Sequence, residues 1–158
     1  MRKVSLICGK ICSGKSTLAK ELREKNGGVI LSVDELMQKL FPAGAGDKHD
    51  ELSGKVKAYL YGKADELLMA GIDVILDWGF WSRRERSYVT EHFKERGVEV
   101  CWHFINIDDE THLKFINGRN KKILAGESTD YFVDEGLFAK AQFLFHEPTE
   151  EEKAELTK

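Results

Sequence analysis

Short runs of apolar and β-branched residues alternate along the chain with longer stretches in which apolar side chains recur every three or four positions. Lys3–Cys8, Val29–Ser32, Asp73–Leu76 and Glu99–Ile107 read as strands. Continuous apolar character of this kind marks strands covered on both faces by helices. The helical period assigns helices to Lys15–Lys25, Asp34–Leu40, Glu51–Ala70, Ser82–Arg96, Asp109–Ile123 and Phe132–Phe145. The first carries Leu18 and Leu22 at i, i+4 and stops at Asn26-Gly27-Gly28, a C-terminal signal. Strand–helix alternation with right-handed crossovers predicts an α/β fold, a parallel sheet with helices on both faces. Two segments interrupt the pattern, Phe41–Asp50 and Lys121–Asp130. Both read as loops placed to fold over the carboxyl edge of the sheet, where ligands bind in open α/β folds. The charged tail from Thr149 to Lys158 contains no strand-like run, and its Thr149-x-x-Glu152 is the capping box of a short helix.

Composition narrows the picture. A chain of 158 residues, 42% hydrophobic and 32% charged, is one soluble domain with room for a core that needs neither disulfide nor structural metal. A net charge of -3 argues against general affinity for nucleic-acid backbones, which favours concentrated Lys and Arg. No apolar run approaches the roughly 20 residues of a membrane span. Cys8, Cys12 and Cys101 are odd in number and lack metal-ligand spacing, which suits a reducing compartment, so a cytoplasmic location is expected. The five histidines show no metal spacing and receive no role.

The chemistry starts at Gly9-Lys10-Ile11-Cys12-Ser13-Gly14-Lys15-Ser16, which fits G-x-x-x-x-G-K-[ST] without a mismatch between a strand and a helix. The glycines permit a tight loop whose N–H groups point at phosphates, and the next helix turns its positive dipole end to the same anion. Gly9, Ile11, Cys12, Ser13, Gly14, Lys15, Ser16 and Thr17 therefore form the expected nucleotide site, with Lys15 on the β- and γ-phosphates and Ser16 on Mg²⁺. ATP and Mg²⁺ are the expected cofactors. Within the loop, Cys12 is either a small packed residue or a thiol activated by nearby N–H dipoles and Lys15.

Four further sites follow from position. Asp77 closes the strand Val74-Ile75-Leu76, either as a metal ligand beside the phosphate loop or as a turn residue. Asp34, after the second strand, is either the carboxylate that orients and deprotonates an acceptor hydroxyl or, with Ser32 as the rival, a helix cap. Ser82 and Glu85 form a capping box that places Arg83, Arg84 and Arg86 in a first helical turn, where cations are disfavoured unless an anion lies nearby. A phosphate or substrate carboxylate is the expected anion, with solvated arginines as the alternative. Arg119 ends a helix, and Trp78, Phe80 and Trp81 flank the expected site, to stack on a ring or to pack the core.

In their order, GKICSGKST, SVDE, DWGFWSRRER, GRN and FHEPTEEE resemble the small P-loop kinases of the AAA_33 type, a group similar to chloramphenicol phosphotransferase, zeta toxins and the kinase domain of polynucleotide kinase. The resemblance covers nearly all of residues 1–152. It implies a three-layer α/β/α nucleotide-kinase-like fold with a parallel sheet of four to five strands and a lid at about residues 115–130. By the same resemblance Asp34 is the general base and contacts substrate, Arg119 is the lid arginine, and Arg83 and Arg86 contact substrate or phosphate; Trp78 and Phe80 are expected, from their position, to join the substrate contacts. The family usually adds a last strand near the adenine site, for which this sequence has no counterpart. Its lid offers one arginine where relatives often have more, with Lys121 or Lys122 as substitutes. The expected activity is transfer of the ATP γ-phosphate to a hydroxyl of a small molecule. Asp47, Asp50 and Glu51 beside the base point to an amine-bearing acceptor such as an aminoglycoside antibiotic. The alternatives are a nucleotide sugar, a nucleic-acid 5′-hydroxyl, or no acceptor at all in a nucleotide-binding switch.

Overall fold

A computed structural model describes Met1–Lys158. Four strands, β1 (Lys3–Cys8), β2 (Val29–Leu31), β3 (Val74–Gly79) and β4 (Glu99–Phe104), form one sheet in the order β2-β3-β1-β4, parallel throughout. Seven α-helices surround it: α1 (Lys15–Asn26), α2 (Val33–Leu40), α3 (His49–Met69), α4 (Arg83–Lys94), α5 (Asp109–Leu124), α6 (Glu135–Leu144) and α7 (Glu150–Leu156). A 3₁₀ turn at Gly46–Lys48 leads into α3. The sheet stops at four strands, the lower of the expected numbers. No helix is long and apolar enough to cross a membrane.

Alternation along β1 divides its side chains between two layers. Val4, Leu6 and Cys8 join Val74, Leu76 and Trp102 in the main core, closed by Ala64 and Leu68 of α3, Val89 and Phe93 of α4 and Leu156 of α7. Ile7 and Ile75 face the other way, against Ala19 of α1. The expected strand bounds hold for β1 and fail for β3 and β4. β4 ends at Phe104 rather than Ile107, because its neighbour β1 turns away into the phosphate loop after Cys8. β3 continues past Leu76 to Gly79, since Cys8 still pairs with Gly79 after a register shift between Leu6 and Cys8. Bulges of this kind re-aim side chains and recur beside active sites. Here two residues of β3, Asp77 and Trp78, stand against the single Ile7 at the carboxyl edge. The expected helix Asp109–Ile123 and the expected loop Lys121–Asp130 overlap, and Lys121–Leu124 belong to the helix, as the last turn of α5.

Candidate active site

The loop between β1 and α1 closes on backbone geometry. The N–H of Gly9 donates to the carbonyl of Gly79 across the strand ends at 3.1 Å. Gly14 caps α1 in the left-handed region at φ 93°, a conformation that favours glycine. The N–H groups of Gly14, Lys15, Ser16 and Thr17 donate to no protein acceptor, the orphan donors of a helix N-terminus and a ready anion site. The hydroxyl of Ser13 is buried without a partner. Lys15 folds back, its Nζ donating to the carbonyl of Lys10 at 2.6 Å. Burial pulls the Lys15 pKa below its ordinary value, with the carboxylates of Asp77 and Asp34 opposing. Two carboxylates beside one lysine make a place where a polyanion needs a counter-cation.

Ser16 and Asp77 meet as the sequence suggests. The Ser16 hydroxyl donates to Asp77 Oδ2 at 2.8 Å, from the first turn of α1 to the bulged end of β3. No group of three or more His, Cys, Asp or Glu side chains that could hold a metal occurs in the protein. One hydroxyl and one carboxylate suit Mg²⁺, which takes most of its remaining shell from phosphates and water.

Asp34 sits in the first turn of α2, and the capping question is settled by Ser32 before it. Ser32 caps the helix, its hydroxyl accepting from the Glu35 N–H at 3.2 Å. Asp34 is left without that duty and lines a cavity of about 550 Å³ with Lys15, Ser16 and Asp77. Although exposed on the open side of that cavity, it is crowded by protein on the other. This desolvation holds its pKa above the ordinary carboxylate value, with Lys15 pulling the other way and Asp77 reinforcing the rise.

Opposite the phosphate loop, the cavity wall comes from α2 to α6, the end of β3 and two connecting segments. Lys57 of α3 pairs with Glu85 of α4 at 2.6 Å, and Lys140 of α6 with Asp50 of α3 at 2.9 Å. His49 meets the edge of Tyr131 at 5.4 Å between ring centroids. Trp78 is fixed by its indole N–H on the Leu31 carbonyl at 3.0 Å, while the indole N–H of Trp81 is buried without a partner. Arg119 projects from α5 into both this cavity and a second recess of about 540 Å³ beside Thr17, Leu18 and Phe115. It pairs with no carboxylate, unlike Arg83, Arg86 and Arg96. Next to it, Asn120 exchanges two 2.8 Å hydrogen bonds with the backbone of Val133, which ties the segment returning from the lid to α5.

Several expected site residues lie elsewhere. Phe80 is fully buried in the main core, as the flanking-aromatic alternative allowed. Arg83 points to Glu155 at 3.3 Å, and Arg86 is enclosed and bonded to Glu152. Two of the three cations at the start of α4, Arg83 and Arg86, therefore meet carboxylates of α7 in the same chain, in place of the expected phosphate or substrate, while Arg84 is exposed. Asp47, Glu51 and Lys121 line neither cavity, and Lys122 lines only the second recess. Cys12 is packed against Ile116 and Val133, and burial pushes its thiol pKa up, the reverse of activation. Lys57, Tyr131 and Lys140 carry no signal in the sequence, each a lone polar residue on a helix face or in a loop with no local pattern to mark it; Glu85 is marked there only as the partner of Ser82 in a capping box, and His49 only as one of five histidines without metal spacing.

The family model AAA_33, an AAA domain, matches residues 4–147. No curated protein matches the chain. Among solved structures, a chain of the Pnkp1/Rnl/Hen1 RNA repair complex superposes with a TM-score of 0.67 at 17% identity, over 90% of this chain and 43% of that one. This chain thus spans less than half the length of that protein. A gluconokinase from Sinorhizobium meliloti gives 0.61 at 15% identity, covering 96% and 80% of the two chains. Chaetomium thermophilum Kti12 in complex with ADP-AlF3 gives 0.65 at 18% identity, covering 92% and 81%. These likenesses establish the fold, a small P-loop kinase-like α/β domain.

Proposed function

The chain belongs to the AAA_33 family, and from that premise we propose that it is an ATP-dependent phosphotransferase acting on a hydroxyl of a small molecule. The observation that carries this reading is Asp34: a carboxylate relieved of capping by Ser32, facing the same cavity as Lys15 and the phosphate loop. A switch that only binds nucleotide has no acceptor hydroxyl for it to deprotonate.

The loop from Gly9 to Thr17 and the N-terminus of α1 bind the triphosphate of ATP. The second recess beside Thr17, Leu18 and Phe115 receives the nucleoside. Ser16 and Asp77 hold Mg²⁺, which when bound neutralises phosphate charge. Asp34 orients the acceptor hydroxyl and takes its proton. The acceptor oxygen then forms the new P–O bond as the bond to the β,γ-bridging oxygen breaks and ADP leaves. Lys15 and Arg119 stabilise charge on the equatorial oxygens of the transferring group.

The acceptor side is nearly neutral. Lys57, Glu85, Lys140 and Asp50 are all paired within the wall, so a phosphate-bearing acceptor finds no free cation beyond Lys15 and Arg119, and an amine-bearing one no free carboxylate beyond Asp34. A neutral hydroxyl compound resting on Trp78 and Trp81 fits better than an aminoglycoside, a nucleotide sugar or a nucleic-acid 5′-end. The free cysteines favour the cytoplasm.

The test is ATP consumption with Mg²⁺ over neutral, amine-bearing and phosphate-bearing hydroxyl compounds, with mass detection of the product. A gain of one phosphate on one class, reduced about 10²–10⁴-fold in Asp34→Asn at unchanged ATP affinity, is the expected result. A second reading, an ATP-binding switch, is favoured by the sheet's ending at four strands. It predicts no phosphorylated product and an Asp34→Asn variant that behaves as wild type.

A further inference from the structure

Arg86 is the largest side chain fully enclosed by the protein, and the proposed transfer makes no use of it. Its guanidinium is divided between two neighbours. Nε and Nη2 donate to the two carboxylate oxygens of Glu152 in α7 at 2.7 and 3.0 Å, while Nη1 donates to the carbonyl of Phe80 at 2.9 Å. A buried ion pair alone is a poor source of stability, because desolvation offsets most of the attraction. The third bond gives it another purpose.

Phe80 holds φ at 48°, in the left-handed region that is costly for a residue with a side chain. Gly79 before it is left-handed as well, at φ 83°. Backbone of this kind persists where its surroundings over-determine it, and it clusters at functional sites. The surroundings here are specific. The Phe80 carbonyl accepts from Arg86 and from the Cys8 thiol at the end of β1. The Gly79 carbonyl accepts from Gly9, the first residue of the phosphate loop, and the Trp81 carbonyl accepts from the N–H of His146. Three consecutive carbonyls of one strained turn are thus fixed, the first of them to the phosphate loop. A Cβ on Gly79 would lie 2.6 Å from Trp81 Nε1 and 3.2 Å from the Gly9 carbonyl, so the turn is also closely packed.

We propose that Arg86, locked in place by Glu152, is a positioning residue that keeps the Gly79-Phe80-Trp81 turn left-handed and so sets the phosphate loop for nucleotide binding. The α7 helix thereby becomes part of the nucleotide site without touching nucleotide. This inference rests on the nucleotide-binding half of the proposed function and is independent of the acceptor.

The experiment is equilibrium binding of MgATP to the full chain and three variants, with the thermal midpoint of each. In Arg86→Met/Glu152→Leu both charges are replaced by apolar groups of similar size, a change that commonly preserves stability but removes the donor to Phe80. It should keep its midpoint and bind MgATP about 10-fold more weakly. Glu152→Gln leaves Arg86 on Phe80 and weakens only the ion pair. It should lose roughly 5–10 °C of midpoint and keep its affinity. Arg86→Lys supplies one ammonium that serves Glu152 but not Phe80 as well, and should follow the double variant in affinity. Wild-type affinity in the double variant and in Arg86→Lys would overturn the inference, as would losses of affinity that track losses of stability across the three. A wild-type chain that binds no MgATP would sink the parent reading and this one together.

Discussion

The two halves of the cavity are made in opposite ways. The nucleotide half is a single stretch, Gly9 to Thr17, held largely by main-chain geometry: Gly9 on Gly79, a left-handed Gly14, and orphan N–H groups at the start of α1. The acceptor half is assembled from α2, α3, α4, α6, the end of β3 and two connecting segments, each giving one to four side chains. It is held by contacts between side chains: Lys57 on Glu85, Lys140 on Asp50, His49 against Tyr131. Main-chain bonds survive most substitutions of the residues that make them, and side-chain pairs open to water are individually weak. The lesson is a division of labour. Under the proposed function, phosphate chemistry falls to the half held by main chain, and acceptor choice to a wall whose parts can change one at a time.

The largest break in that comparison is Lys15→Met. It removes a charge on which both Asp77 and Asp34 act and should lower transfer by about 10³-fold, measured as the rate of product formation at saturating acceptor. No substitution of a single acceptor-wall residue other than Asp34 should approach this. A comparable loss from Lys57→Met or Lys140→Met would erase the distinction between the halves.

Next comes pH. Burial raises the pKa of Asp34 above the ordinary 3.8, and only its charged form accepts a proton from the hydroxyl. Transfer should therefore fall about tenfold per unit as pH drops below that raised pKa, and the acid limb should vanish in Asp34→Asn. The same shift has a consequence for stability, with a definite sign. A folded-state pKa above the unfolded value means that the folded chain holds the proton more tightly. The resulting stabilisation is complete at low pH and lost as pH rises through the folded pKa. At neutral pH the charged Asp34 then weakens the fold, and Asp34→Asn should raise the thermal midpoint while abolishing transfer. A lowered midpoint would mean that Asp34 is a structural residue.

The same contrast governs how much could be read from the sequence. The phosphate loop, the strands, the caps at Ser82 and Thr149 and the pairing of Ser16 with Asp77 were legible, because each depends on residues close in sequence or on the rule that strand ends meet at one edge. The Asp34 alternatives needed a fact about Ser32 that only geometry supplies. Two of the three arginines at the start of α4 meet an anion, yet their carboxylates, Glu152 for Arg86 and Glu155 for Arg83, lie 66 and 72 positions on, where sequence spacing says nothing. Trp78 was seen as an aromatic beside a strand end. Its position depends on the bulge opposite Ile7, and a register shift leaves no mark in an apolar run.

Lys140 should matter least to stability, and most to the choice between acceptors. The Lys140–Asp50 pair is largely exposed, at 54% and 74% of its side-chain surface, so it contributes less than about 1 kcal/mol to stability. Lys140→Met should leave the midpoint and the affinity for ATP almost unchanged. What it changes is charge: Asp50 is left without its partner on the acceptor side of the cavity. Ratios of kcat/KM for amine-bearing over neutral hydroxyl compounds should then rise by about 3- to 10-fold, an interaction of about 1 kcal/mol gained by cationic acceptors alone. Equal changes for both classes would mean that the pair holds the wall in shape and that its neutrality plays no part in choosing the acceptor.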